Sequence, residues 1–210
     1  MRSGQNQLII IGAGSVGGHI ASNLNLYFKE DIEVLFFDDD ETKIGQSFCG
    51  ANVVGKVKEI KSYSKDSKII VGIAFPKIKK NIISKLKSAG FTNFPSLISE
   101  KTWISQNVKL GEGVIIYPGC AVNYATQIQD FVVMNMNCAI GHDCIIGKYS
   151  SFSPGVNLGG HTQIGEFCEI GIGASTLQFI KIESNVKVGG NAMVTKNVKA
   201  FSKIKGIPAK

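Results

Sequence analysis

The chain has 210 residues, 44% of them hydrophobic and 19% charged. That length suits one or two domains with a sizeable core. No apolar run approaches the ~18 residues of a membrane helix, and no basic-then-apolar leader opens the chain, so a soluble, cytoplasmic protein is expected. The net charge of +7 is uneven: from Lys181 onward there are seven lysines against the single acid Glu183. Such a segment is either a solvated tail or a site for a phosphate-bearing ligand. Nucleic acid is not expected, because aromatics do not alternate with the lysines.

The first ~95 residues read as strands alternating with helices. Leu8–Ile11 is a short apolar run suited to a buried parallel strand. The turn Gly12-Ala13-Gly14-Ser15-Val16-Gly17-Gly18 follows it, then a helix to about Leu26. Val34–Phe37 is a second strand ending in Asp38-Asp39-Asp40, and Lys68–Ala74 a third. Pro76 opens a helix that Gly90 closes. This pattern predicts a small α/β domain with a parallel sheet. Gly12-x-Gly14-x-x-Gly17 with Asp38 also fits a nicotinamide dinucleotide fingerprint, but the domain is short for that fold and no hydride-transfer site is evident.

From about residue 98 the grammar changes. An apolar residue recurs every sixth position from Leu110 to Val194, and of the fifteen only Thr176 is polar. A short fixed period of this length means a stacked solenoid of strands. Three hexads make a triangular coil, so residues 18 apart stack at the inter-strand spacing of ~4.8 Å. Glycine follows the apolar residue in seven hexads, and Asn123 and Asn135 share that column. The expected reason is a coil corner whose backbone angles favour glycine or asparagine. Cys120, Cys138, Cys144 and Cys168 share a column of small or aliphatic residues, which predicts inward structural thiols and a reducing compartment.

Two of the three histidines lie in the coil. One coil beyond His142 is Gly160, and one coil beyond Asp143 is His161. A neutral imidazole can accept a proton from an attacking amine or hydroxyl. An adjacent carboxylate can orient the ring, and an uncovered glycine N–H can hold an oxyanion. An isolated His-Asp pair would otherwise be an ordinary polar surface feature.

The hexad repeat resembles the left-handed β-helix, hexapeptide-repeat acyltransferases. The residues Phe36–Asp40, Lys43–Gly45, Asn135–Gly147, Ser153–Leu158 and the ending Gly206–Lys210 resemble the sialic acid O-acetyltransferase (NeuD/PglD-like) family, which includes bacterial nucleotide-aminosugar N-acetyltransferases. The resemblance implies an α/β Rossmann-like nucleotide-sugar domain at 1–96, an all-β left-handed parallel β-helix at 97–198 and a C-terminal tail at 199–210. It also implies a homotrimer with acetyl-CoA lying along the coil between subunits, with no metal.

Carried over by position, His142 resembles the general base and Asp143 its acidic partner. Asn135 resembles a substrate contact, and His161 is grouped with it only through its place above Asp143. Gly160 resembles the backbone donor to the thioester carbonyl. Ile172 and Gly190 resemble residues lining the pantetheine arm, and Pro208 lies toward the adenine. Ser151 stands where a second active-site histidine can occur and is grouped with the acetyl-CoA contacts. In the front domain, Gly12, Gly14 and Gly17 would admit a phosphate at a helix N-terminus, and Asp38 and Asp39 would meet the base or ribose. Val16 departs from a histidine frequent in that loop, and Ala74-Phe75 from a Gly-Asn.

The implied reaction is acetyl-CoA-dependent acetylation of the amine of a UDP- or dTDP-linked amino-deoxysugar for surface glycans. The alternatives are O-acetylation of a sialic acid or other sugar, or a non-catalytic sugar-nucleotide binder.

Overall fold

The computed structural model describes residues 7–210; residues 1–6 of the predicted first domain lie outside it. The described residues divide into two compact units, one of residues 7–74 with 78–95 and one of residues 75–77 with 96–210.

The first unit is built on a five-stranded sheet. Its strands are β1 (Gln7–Ile11), β2 (Glu33–Phe37), β3 (Ser47–Phe48), β4 (Ala51–Gly55) and β5 (Lys68–Val71), in the order β3-β4-β2-β1-β5. The central β1 is fully buried from Leu8 to Ile11, as expected of a strand covered on both faces. The sheet is parallel as expected except at its edge, where β3 runs antiparallel to β4. These residues offer too short a run to read from periodicity. Strand β5 stops at Val71, short of the expected end at Ala74; the last ladder bond is from the Gly72 N–H to the Ile11 carbonyl. Helix α1 (Ser15–Ser22) ends at Asn23, whose side chain caps the His19 carbonyl; a separate 3-10 turn at Leu24–Leu26 completes the predicted segment. Helix α2 spans Pro76–Ser88.

The second unit is a three-sided prism of two-residue parallel strands. Each strand pairs with its counterpart on the next coil, for example Ala139 with Asn157 and Ile145 with Gln163. Every member of the apolar series from Ile116 to Val194 is buried, and only Leu110, near the start of the prism, stays exposed. Thr176 also points inward, where its hydroxyl meets that of Thr162 at 3.0 Å and accepts from the Gly159 N–H. The four coil cysteines are buried and unbridged, and Cys49 is exposed.

The glycine column has a different cause from the one expected. The left-handed backbone falls two residues later, at 107, 113, 119 and so on through 191, and is occupied by Ala125, Phe131, Asp143, Tyr149 and His161 as well as glycine and asparagine. Glycine follows the apolar residue because the next coil passes so close. A Cβ on Gly165 would sit 2.5 Å from the Ser184 nitrogen, and one on Gly171 2.6 Å from the Gly190 nitrogen. Asn123 and Asn135 share the column for another reason: each side chain accepts the N–H of the following corner residue.

The predicted tail is also corrected, because Lys203–Ile204 forms a further strand on Lys187–Val188. That pairing closes a shorter coil than those before it, as does the Ile182–Val198 bridge. The hexad count loses phase, but the hydrogen-bond ladder does not. Gly206 and Ala209 then bond to Met193, tying down the end of the chain.

Candidate active site

The prism places His142 and Asp143 at one corner, between the strands Ala139–Ile140 and Ile145–Ile146. Asp143 takes the left-handed conformation, φ 57°. The His142 Nδ1 and Asp143 Oδ2 lie 2.8 Å apart, with the two side chains 34% and 38% exposed. Exposure of that degree leaves the pair reachable from solvent while the carboxylate fixes the ring. With Nδ1–H donating to the carboxylate, Nε2 carries the lone pair. That nitrogen faces Gly160: a Cβ there would lie only 2.8 Å from it. The imidazole therefore rests against a residue on the next coil that has no side chain to displace it.

Residues two positions past the apolar series carry an N–H outside the coil ladder. A side-chain oxygen takes it at Glu112, Tyr124, Met136 and Glu166. Among the described residues none accepts from the Gly160 N–H. Gly160 itself is buried in the single chain, which qualifies the expectation of an uncovered donor: the imidazole covers its α-carbon side. His161 is exposed, and its backbone N–H donates to the His142 carbonyl at 2.9 Å. Its ring meets that of His142 edge to face, with centroids 5.0 Å apart.

Two aromatic neighbours escaped the sequence reading. Tyr124 stacks on His142, with centroids 5.1 Å apart and planes 8° from parallel, and Phe179 stacks on His161 at 4.5 Å. Each lies one full coil from its partner, so the coil arithmetic that linked His142 to Gly160 could have found both.

The other predicted coil residues do not join this corner in one chain. Asn135, Ile172 and Gly190 lie on a different edge of the prism, where Ile172 and Gly190 stack one coil apart and both are exposed. Ser151 sits half-buried on the sheet face leading to that edge. Pro208 is exposed near the chain end, after a cis peptide bond.

In the first unit, Gly12 has φ +100° and donates its N–H to the Phe37 carbonyl at 2.8 Å. Gly17 is required by packing, since a Cβ there would strike the Gly12 carbonyl oxygen, whereas Gly14, the residue before α1, faces open space. Asp38 is engaged within the protein. It accepts from the Ala13 and Asp40 N–H groups at 2.8 and 2.9 Å and pairs with Lys43 at 3.1 Å. It thus ties the glycine loop to the end of β2. Asp39 accepts from the Val57 N–H and lines a cavity of about 610 Å³ with Lys58, Lys61 and Lys85 on its walls. Val16 is buried. His19 reaches the Tyr27 hydroxyl at 2.8 Å, and burial pushes its pKa below the ordinary histidine value.

Residues 7–86 match the family described as PglD N-terminal domain. PerB from Caulobacter crescentus, solved with CoA and GDP-perosamine, is 26% identical, with 97% of this chain and 96% of that one covered and a TM-score of 0.89. The acetyltransferase domain of PglB from Neisseria gonorrhoeae, solved with acetyl coenzyme A, is 28% identical, covers 98% of both chains and has a TM-score of 0.89. Serine acetyltransferase from Staphylococcus aureus is 35% identical over 113 residues, 50% of this chain. The chain spans about half the length of the curated relatives it matches, 51% for that enzyme. No helix among the described residues is long and apolar enough to cross a membrane. The first unit thus matches the PglD N-terminal domain model, nearly the whole chain is similar to proteins solved with CoA or acetyl coenzyme A, and the short parallel strands in stacked sheets make the second unit a left-handed parallel β-helix.

Proposed function

We propose that the protein is an acetyl-CoA-dependent acetyltransferase that N-acetylates a nucleotide-linked amino-deoxysugar, with His142 as general base. The observation that carries this reading is the His142 ring, held by Asp143 at Nδ1 and resting against Gly160 on its Nε2 side. The substrate amine attacks the thioester carbonyl carbon as Nε2 takes its proton. The developing oxyanion accepts from the Gly160 N–H. Collapse breaks the C–S bond, and the imidazolium returns the proton to the leaving sulfur. Cys144 is buried and burial pushes its thiol pKa up, which disfavours a covalent acyl carrier and favours direct transfer.

The split of the predicted ligand residues between two edges favours a homotrimer, in which the Ile172–Gly190 edge of one subunit would face the His142 corner of its neighbour. The solved relatives carry CoA, acetyl coenzyme A or GDP-perosamine, which supports the choice of donor and acceptor class. UDP or dTDP is the nucleotide expected from the sequence, so GDP belongs in the same panel.

The test is acetyl transfer from acetyl-CoA to UDP-, dTDP- and GDP-linked amino-sugars, with wild type and His142→Ala compared. Loss of about 10²–10⁴-fold in turnover with an intact fold is expected for a removed general base. Full turnover in the folded variant removes His142 from the role. Calorimetry with the free nucleotides decides which one the front domain holds.

A further inference from the structure

We propose that the corner formed by His142, Asp143 and His161 binds a divalent transition metal ion, zinc foremost, and that the bound metal silences the base. The metal is an inhibitor here, not a participant in acetyl transfer. One donor atom from each of the three residues lies within 4.8 Å of the other two. Two imidazoles and a carboxylate form the three-ligand set that holds zinc in open, water-completed sites. Imidazole-rich sets select zinc, copper or nickel, whereas magnesium and calcium require oxygen ligands.

The fold brings these groups together without a dedicated loop. Asp143 and His161 occupy the same left-handed column on successive coils, at φ 57° and 58°. Their side chains therefore leave the prism from equivalent points one layer apart. His142 precedes Asp143, and its Nδ1 is 2.8 Å from the carboxylate. Tetrahedral zinc with bonds of ~2.0–2.1 Å brings donors to roughly 3.4 Å of one another. Closing the remaining gap falls to His161, the exposed member of the three. Tyr124 and Phe179 stack on the two imidazoles and limit the ring orientations that must be ordered on binding. A metal held at Nδ1 spans two coils and leaves the ring's proton on Nε2, which then has no lone pair with which to act as a base.

The inhibitory half rests on the reading of His142 given above; the binding half does not. The test uses the full chain carrying Cys49→Ser, which removes the exposed thiol as a competing ligand. Zn²⁺ is titrated against a colorimetric chelator, and Co²⁺ binding is followed by visible absorption. One ion per chain is expected. His161→Ala and Asp143→Asn should each weaken binding by roughly tenfold or more, and His19→Ala should leave it unchanged. Absence of saturable Zn²⁺ binding, or unchanged affinity in His161→Ala, overturns the site. Stoichiometric Zn²⁺ should also abolish acetyl transfer, with recovery on adding chelator. Metal binding that leaves turnover intact overturns the inhibitory half alone, and failure to find an acetyl acceptor leaves the binding titration decisive.

Discussion

Gly160→Ala is the sharpest perturbation the structure offers, because it alters one contact and leaves every proposed functional group in place. A Cβ at Gly160 would lie 2.8 Å from Nε2, 3.0 Å from Cε1 and 3.2 Å from Cδ2 of His142, where ordinary contact begins at 3.4 Å. The imidazole must therefore retreat by about 0.6 Å. The stacked Tyr124 ring and the Asp143 carboxylate restrict the directions open to it. The backbone itself tolerates alanine, since Gly160 does not use the left-handed region. The ring is one-third exposed and can yield without opening the core, so the thermal midpoint should barely move. Displacement of a catalytic group on this scale costs up to about 10²-fold, or roughly 2.7 kcal/mol of transition-state stabilisation. The assay is kcat/KM for acetyl transfer beside a circular dichroism melt. A folded Gly160→Ala protein with wild-type kcat/KM would refute both the position assigned to the base and the use of Gly160 as its neighbour.

Gly165→Ala should destabilise the prism by about 1–3 kcal/mol through overpacking, since its Cβ meets the Ser184 backbone nitrogen at 2.5 Å; denaturant unfolding measures it. Of the five cysteines, only Cys49 should react rapidly with a thiol reagent in the native protein, because the other four are buried and burial pushes the Cys144 and Cys168 thiols up; denaturation should release all five. The His19 imidazole should titrate by NMR below the ~6.5 of an unperturbed histidine, given the desolvation that lowers its pKa. The unfolded chain then binds that proton first as pH falls, so the His19 contribution is fully present above ~6.5 and is lost below it.

Much of the prism was legible because a six-fold spacing of apolar positions names inward side chains directly. Ile140, Ile146, Phe152 and Ile164 are all buried where the series placed them. The step of one coil linked His142 to Gly160 from spacing alone. Other features depend on approach distances that spacing does not encode. The glycine column answers to a neighbouring backbone, and the left-handed residues sit in a column whose side chains range from glycine to phenylalanine. Handedness was likewise invisible to spacing, since either winding has the same repeat. In the first unit, Asp38 follows an apolar run as a ribose-binding acid would. Within the chain it also engages the Ala13 N–H, which the folded sheet brings to it, and Lys43 from the turn just after β2.

Because each coil hands its side chains to the same three edges, length in this half of the chain is quantised. Deleting a single residue between 163 and 180 would turn every later apolar residue outward, whereas excising that whole span would keep the strands in phase. Such an excision would trim the prism by one storey and exchange the residue above His161. The edges can therefore vary by substitution, by loops grown there, or by gain and loss of entire storeys without disturbing the stack.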